Sequence, residues 1–244
     1  MADGRVQSKN LFNFVPSGMI DQDIIDKEKE MMEQAGMDQT EEEMREQMDQ
    51  MSDEDFAAFT QEMMAGMCDY AFKHPTYEDA ANACDHTSIS VSTNHDGNYD
   101  VEVLVHAPKI MEAKTSKPCI IYAHGGGVIA GSALQYKNLL SYMATSCEVV
   151  VFNVDYRLAP GTRSPNNVLD FYEVVKYVSG HAEDLGVDAD RICIAGESGG
   201  GYITAGTMVK LAQEDEAYLV KVAIPSIPML SDYCFGSRTG MTNF

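Results

Sequence analysis

The sequence beyond residue 116 alternates between short apolar runs and amphipathic segments. The apolar runs are rich in Val, Ile and Ala, which is typical of strands buried on both faces of a parallel sheet. Four runs of this kind occur: Cys119–Ala123, Glu148–Val154, Arg191–Ala195 and Leu219–Ile224. Between them lie segments with helical spacing of the apolar residues: Ser132–Thr145, Asn166–Ser179 and Gly199–Gln213. This order predicts an α/β fold with a mostly parallel, doubly wound sheet.

A strand pair is predicted ahead of this alternation. Ser88–Ser92 and Val101–His106 read as two strands, and the residues between them include the turn sequence Asn94-His95-Asp96-Gly97. We therefore expect an antiparallel hairpin at one side of the sheet.

The first 68 residues have a different pattern, in which Met residues recur at helical spacing. One stripe consists of Met44, Met48 and Met51, and a second of Phe56, Phe59, Met63 and Met67. Thr40 with Glu43 and Ser52 with Asp55 are typical of helix N-termini, and Gly36 of a helix C-terminus. The pattern predicts about three short amphipathic helices. We interpret residues 1–68 as a helical lid segment and residues 69–244 as a partial core domain.

Charge and composition exclude several classes of function and partner. Lys plus Arg is 17 against 38 for Asp plus Glu, and the formal net charge of −21 disfavours nucleic acid and anionic lipid as partners. No apolar run approaches the roughly 18 residues that a membrane span needs, and Met1–Arg5 lacks the apolar stretch of a secretory signal. The six Cys show no metal-ligand spacing. We expect a cytoplasmic protein without a metal site.

Two glycine clusters follow predicted strands and carry the candidate chemistry. His124-Gly125-Gly126-Gly127 comes directly after Cys119–Ala123, and Gly196-Glu197-Ser198-Gly199-Gly200 lies between a strand and the helix Gly199–Gln213. The second cluster is a G-x-S-x-G sequence in a strand-turn-helix context, which lifts the Ser hydroxyl above the sheet. The helix N-terminus then directs N–H groups at an oxygen that develops charge beside Ser198.

Together with Asp155-Tyr156-Arg157-Leu158-Ala159-Pro160, these clusters resemble the hormone-sensitive-lipase-like branch of the α/β-hydrolases. That branch has HGGG, DYRLAP and G-[DE]-S-x-G-G motifs in the same order, although Gly161 stands where Glu is usual. The resemblance implies a carboxylic-ester hydrolase (esterase or lipase) with an N-terminal helical lid. It would act on a small, largely apolar ester and need no cofactor. It implies Ser198 as the nucleophile and backbone N–H groups of Gly125, Gly126 and Gly199 as the oxyanion hole. The remaining motif residues are expected to form the scaffold: His124, Gly127, Asp155, Arg157, Gly196, Glu197 and Gly200.

The expected catalytic base is missing from its usual place in the chain order. In this fold the acid and the His follow the nucleophile, whereas all six His of this sequence precede Ser198. Each further strand-helix-strand unit takes about 30 residues. The interpretation is a C-terminally truncated esterase whose 244 residues alone are inactive, or a protein that has lost the chemistry.

Two other functional classes fit part of the sequence. The run from Gly125 to Ala130 also fits a dinucleotide-binding G-x-G-x-x-A sequence, but Asp155 follows 30 residues later instead of about 20. The second class is a catalytically dead, receptor-like homologue that binds a small molecule. Plant gibberellin receptors resemble the same branch and lack the catalytic His.

Overall fold

The computed structural model describes residues 50–109 and 116–230, and six strands form a single sheet in this part of the chain. In chain order the strands are β1 Cys84–Thr93, β2 Tyr99–Pro108, β3 Lys117–Ala123, β4 Val150–Asp155, β5 Val187–Glu197 and β6 Val222–Ser226. The helices are α1 Asp53–Ala71, α2 Pro75–Asn82, α3 Lys137–Cys147, α4 Asn166–Gly180 and α5 Gly199–Gln213. Short 3₁₀ turns cover Leu134–Tyr136 and Ala217–Leu219.

The sheet is mixed, with the order β1-β2-β4-β3-β5-β6. β1 pairs with β2 and β2 pairs with β4 in antiparallel fashion, while the β4-β3, β3-β5 and β5-β6 pairs are parallel. The predicted hairpin and the mostly parallel core are therefore both confirmed. The carboxyl ends of β3 and β5 are adjacent, since Ala123 pairs with Gly196. This register brings the two glycine clusters together.

Helices cover both faces of the sheet. On one face α4 and α5 pack over alternate residues of the central strands, including Ile121, Phe152 and Ile194. On the other face α3 packs over the residues between them, including Tyr122 and Val151. Because both faces are covered, the central strands are mostly apolar, as the sequence predicted; the buried Asn153 of β4 is an exception.

Several predicted boundaries were wrong. β1 begins at Cys84 and β5 at Val187, each four residues before the predicted start. The helix predicted from Ser132 begins at Lys137, because the Ala133 backbone bonds the Asp155 and Asn153 side chains and is held outside the helix. The strand predicted from Glu148 begins at Val150, because Glu148 ends α3 in a left-handed conformation with φ of 54°. The last strand begins at Val222, after a 3₁₀ turn that ends at Leu219. The sequence pattern also missed α2, a helix of only eight residues.

Helix α1 confirms part of the predicted N-terminal helical segment. Ser52 caps it by accepting a hydrogen bond from the Asp55 amide, as predicted. The predicted apolar face was wrong at Met67, which is 55% exposed. Phe56 of the predicted face does pack against the rest of the fold, together with Met64 and Cys68, which were not predicted to do so.

Several predicted features lie outside the described residues: Gly36, Thr40, Glu43, Met44 and Met48. Residues 51–244 form one compact unit, to which α1 and the sheet belong. The division into a lid of residues 1–68 and a core of residues 69–244 stays a prediction. Within the described residues, no helix is long and apolar enough to cross a membrane.

Candidate active site

Ser198 occupies a sharp turn between β5 and α5. Its φ of 52° and ψ of −114° lie outside the backbone regions that residues with a side chain ordinarily adopt. Backbone strain of this kind is concentrated at functional sites. The Ser198 amide donates to the Ser226 carbonyl at 3.0 Å, and the Met229 amide donates to the Ser198 carbonyl at 3.2 Å. The last residue of β6 and the chain just after it thus hold Ser198 in its strained conformation.

The glycines around Ser198 are required by close backbone approach. A Cβ on Gly196 would lie 2.4 Å from the Gly200 carbonyl oxygen, and a Cβ on Gly200 would lie 2.0 Å from the Ala123 carbonyl oxygen. Neither approach is possible for a residue with a side chain. The turn can therefore pack against the end of β3 only with glycine on both sides of Ser198.

The loop after β3 folds back on itself and meets the N-terminus of α5. Gly126 has a φ of 115° and Gly127 a φ of 62°, and the Ile129 and Ala130 amides both donate to the Gly126 carbonyl. Val128 has a φ of 60°, which is rare for a β-branched residue. Because the loop is held in these conformations, the directions of its backbone N–H and C=O groups are fixed.

The contact between the loop and α5 brings backbone donors together. A Cβ on Gly199 would lie 2.7 Å from the Val128 nitrogen and 2.9 Å from the Gly127 nitrogen. A Cβ on Gly125 would instead meet Tyr136 and Glu197. Of the predicted donors Gly125, Gly126 and Gly199, the last is therefore next to Gly127, which the sequence had assigned to the scaffold. The donor role of each stays a prediction.

His124 is fully buried beneath the loop. Its Nδ1 is 2.7 Å from the Gly125 carbonyl, which can only accept, so Nδ1 carries the proton. Its ring stacks on Tyr156 at 4.3 Å, and the Tyr156 hydroxyl donates to the His124 carbonyl. Burial lowers the pKa of His124, and its Nε2 has no hydrogen-bond partner. A neutral imidazole in this position supports the loop from below.

Glu197 turns away from the strand end and meets Tyr136. The Tyr136 hydroxyl donates to Oε1 of Glu197 at 2.6 Å. Burial and then this carboxylate raise the pKa of Tyr136 above its usual range, so the phenol stays protonated. Burial raises the pKa of Cys68, and Glu197 adds to this effect, so this thiol is a poor nucleophile.

Asp155 and Arg157 hold two different parts of the fold. Asp155 Oδ1 accepts from the Ala133 amide at 2.7 Å, just after the glycine loop. Arg157 pairs with the fully buried Asp170 of α4 through Nε and Nη2 and donates to the His95 carbonyl. Asp155 therefore holds the backbone at Ala133, and Arg157 holds α4 and the backbone at His95.

None of the six histidines, all of which the structure describes, hydrogen-bonds Ser198. His86 and His106 contact each other on β1 and β2, His95 contacts Glu173, and His74 caps α2. Within the described residues, no three His, Cys, Asp or Glu side chains are grouped so as to hold a metal ion. Sequence reasoning missed the contacts of Gln61 and Tyr136 with the site, because neither residue belongs to a motif.

Comparisons with known proteins indicate the fold family and the class of its relatives. Residues 120–240 match the family model of the α/β hydrolase fold. Carboxylesterase NlhH of Mycobacterium tuberculosis is 33% identical over 123 residues, which is 50% of this chain and 38% of that protein. An arylesterase of Saccharolobus solfataricus is 29% identical over 133 residues, which is 54% of this chain and 42% of that protein.

A solved structure of similar shape is a bacterial heroin esterase. It has a TM-score of 0.62 and 28% identity over 79% of this chain and 56% of its own. The chain thus spans little more than half of this structure and less than half of the two curated relatives. The predicted fold class and family resemblance are confirmed.

Proposed function

Because residues 120–240 belong to the α/β-hydrolase fold family, we propose that this protein is a serine carboxylic-ester hydrolase with Ser198 as its nucleophile. One observation carries the proposal: Ser198 stands in a strained strand-to-helix turn whose glycines pack directly against the loop Gly125–Val128. The relatives named above are esterases, which supports ester hydrolysis as the reaction class.

The proposed mechanism is acyl transfer in two steps. The Ser198 hydroxyl attacks the ester carbonyl, an acyl-enzyme forms as the alcohol leaves, and water then releases the acid. Backbone N–H groups of the glycine loop and of Gly199, at the N-terminus of α5, stabilise the negative oxygen of the tetrahedral intermediate. The nearness of the Gly127 nitrogen to Gly199 supports Gly127 as a further candidate donor beside the predicted Gly125 and Gly126. The acidic net charge of −21 favours neutral or cationic, largely apolar esters.

Attack by Ser198 also needs a group that accepts its proton. His124 is neutral, buried and committed to Gly125, and the other histidines bond elsewhere. We propose that residues 1–244 by themselves turn over esters very slowly, since loss of the base in a serine hydrolase costs about a millionfold in turnover.

The test uses a fluorophosphonate probe and p-nitrophenyl acetate, on the 244-residue chain and on the product of the complete reading frame. In the product of the complete reading frame we expect label on the peptide that contains Ser198, and loss of label and turnover in Ser198→Ala; the 244-residue chain should show little of either. The matched control is Ser226→Ala, which removes a nearby hydroxyl but keeps the carbonyl that holds the Ser198 amide.

Label on another residue, or full turnover in Ser198→Ala, would contradict the proposal. Saturable binding of an ester without hydrolysis by the complete product would favour the receptor-like alternative. Ordinary esterase rates from the 244-residue chain would show that a base lies among residues 1–244.

A further inference from the structure

Helix α1 is hydrogen-bonded to the end of the glycine loop. The Gly131 amide donates to Oε1 of Gln61 at 2.7 Å, and Nε2 of Gln61 lies 3.5 Å from the Gly131 carbonyl, to which it donates. One side-chain amide thus satisfies both backbone groups of a single residue, as a neighbouring strand would. The two residues are 70 positions apart in the chain.

Gly131 in turn is packed against the start of the same loop. Its φ is 95°, and a Cβ on it would lie 2.6 Å from His124 Nδ1 and 2.7 Å from the Gly125 carbonyl oxygen. The residue before it, Ala130, donates to the Gly126 carbonyl. A displacement of Gly131 is therefore transmitted to Gly125 and Gly126 by direct contact.

Apolar packing brings α1 to the glycine loop but does not fix the exact position of the loop against the helix. Phe56 and Met64 of α1 pack against Ile129, Ala130 and Ala159. Contacts of this kind tolerate small shifts, and Met adapts readily to them. The Gln61 hydrogen bonds are directional and so define where Gly131 sits.

We propose that Gln61 is a positioning residue for the glycine loop Gly125–Val128, which supplies oxyanion donors in the function proposed above. The inference rests on that proposed function. Oxyanion donors act only when they lie about 2.7–3.1 Å from the oxygen of the transition state. Gln61 holds the loop at that position through Gly131 and touches no reacting atom itself. Its loss lowers the rate of the chemical step and leaves substrate binding almost unchanged.

The first test is hydrogen exchange of the 244-residue chain, which needs no activity. Gln61→Met keeps the side-chain length and removes both hydrogen bonds, and we expect exchange in the peptide 125–131 to become about tenfold faster or more. Gln61→Glu retains an acceptor for the Gly131 amide and should restore most of the protection. Glu62→Gln, the matched control on the exposed side of α1, should exchange like the parent. Unchanged exchange at 125–131 in Gln61→Met, with strand 99–108 still protected, would overturn the proposal.

The second test is ester kinetics of the complete gene product. We expect Gln61→Met to lower kcat by about 10- to 100-fold with KM within about twofold, because misplacement by about 1 Å costs on the order of 100-fold in rate. An increase in KM alone would mean that Gln61 only contacts substrate and would overturn the proposal. Normal kcat in Gln61→Met would overturn it as well. Full turnover in Ser198→Ala would instead contradict the proposed function, so the two failures are distinguishable.

Discussion

The Tyr136 hydroxyl donates a 2.6 Å hydrogen bond to Oε1 of Glu197, the residue directly before Ser198. Tyr136 ends the 3₁₀ turn that follows the glycine loop, so the bond connects this turn to the end of the strand that precedes Ser198. Gly125 lies against the pair, since its Cβ would be 3.0 Å from the phenol oxygen and 3.1 Å from the carboxylate. A side chain on Gly125 would press on both groups, so the pair would have to shift by a few tenths of an ångström.

Removal of the Tyr136 hydroxyl should destabilise the fold. Tyr136→Phe leaves the Glu197 carboxylate without its donor in a part-buried site, and a hydrogen bond to a charged group contributes about 1.5–3 kcal/mol. We expect the free energy of unfolding, measured with urea, to fall by about that amount. Tyr142→Phe, at a 40% exposed tyrosine of α3, is the control and should change it little. Equal stabilities of the two variants would contradict the prediction.

Alanine at Gly200 should abolish the native packing of the Ser198 turn. Its Cβ would lie 2.0 Å from the Ala123 carbonyl oxygen and 2.6 Å from the His124 carbonyl oxygen, and both oxygens belong to backbone that cannot shift at low cost. Gly66, in the middle of α1, has no atom within 4 Å of its Cβ position. We expect Gly66→Ala to raise the free energy of unfolding by up to about 1 kcal/mol, because alanine favours helix. Thermal unfolding distinguishes the two, and a folded, stable Gly200→Ala would refute the packing argument.

Loss of the Arg157–Asp170 ion pair should lower the free energy of unfolding more than loss of a surface pair does. Asp170 is fully buried and Arg157 is 12% exposed, so Asp170→Asn leaves a guanidinium without its charge partner. Breaking a buried pair in this way costs about 3–5 kcal/mol. Asp188→Asn, which breaks the exposed pair with Arg191, is the control, with little expected change. Similar urea midpoints for the two variants would show that the buried pair carries no special weight.

Stability should fall as the pH drops from about 6.5 to 4, partly through His106. Burial, then the charges of His86 and Lys137, lower the pKa of His106 to about 4. The unfolded chain titrates near 6.5 and therefore binds more protons in this window, so acid favours unfolding. The contribution is up to about 3 kcal/mol, at about 1.4 kcal/mol per pKa unit.

Urea unfolding of His106→Leu at pH 7 and pH 4.5 tests this prediction. The variant should lose less stability between the two pH values than the parent does. His181→Gln, at an exposed histidine after α4, should retain the parental pH dependence. Identical pH dependence in His106→Leu and the parent would contradict the assignment.

Local sequence signals predicted those parts of the fold that depend on neighbours in the chain. Helix α5 was predicted with its observed bounds, Gly199–Gln213, because the glycines after Ser198 mark its start and apolar periodicity defines its length. Strand β3 was predicted within two residues at its start, since a continuous apolar run favours a doubly covered strand. The Ser198 turn followed from the same local evidence.

Tertiary structure decided the features that join distant residues. Gln61 with Gly131 and Tyr136 with Glu197 are contacts over 70 and 61 positions, which no local pattern encodes. The face of α1 that is buried, and so the exposure of Met67, depends on which surface the helix meets. The sequence by itself determined the order of strands and helices along the chain and the glycine-flanked turn at Ser198, because backbone preference and apolar periodicity are local. Only the packed chain determined what supports that turn, because side-chain contacts form after the elements have come together.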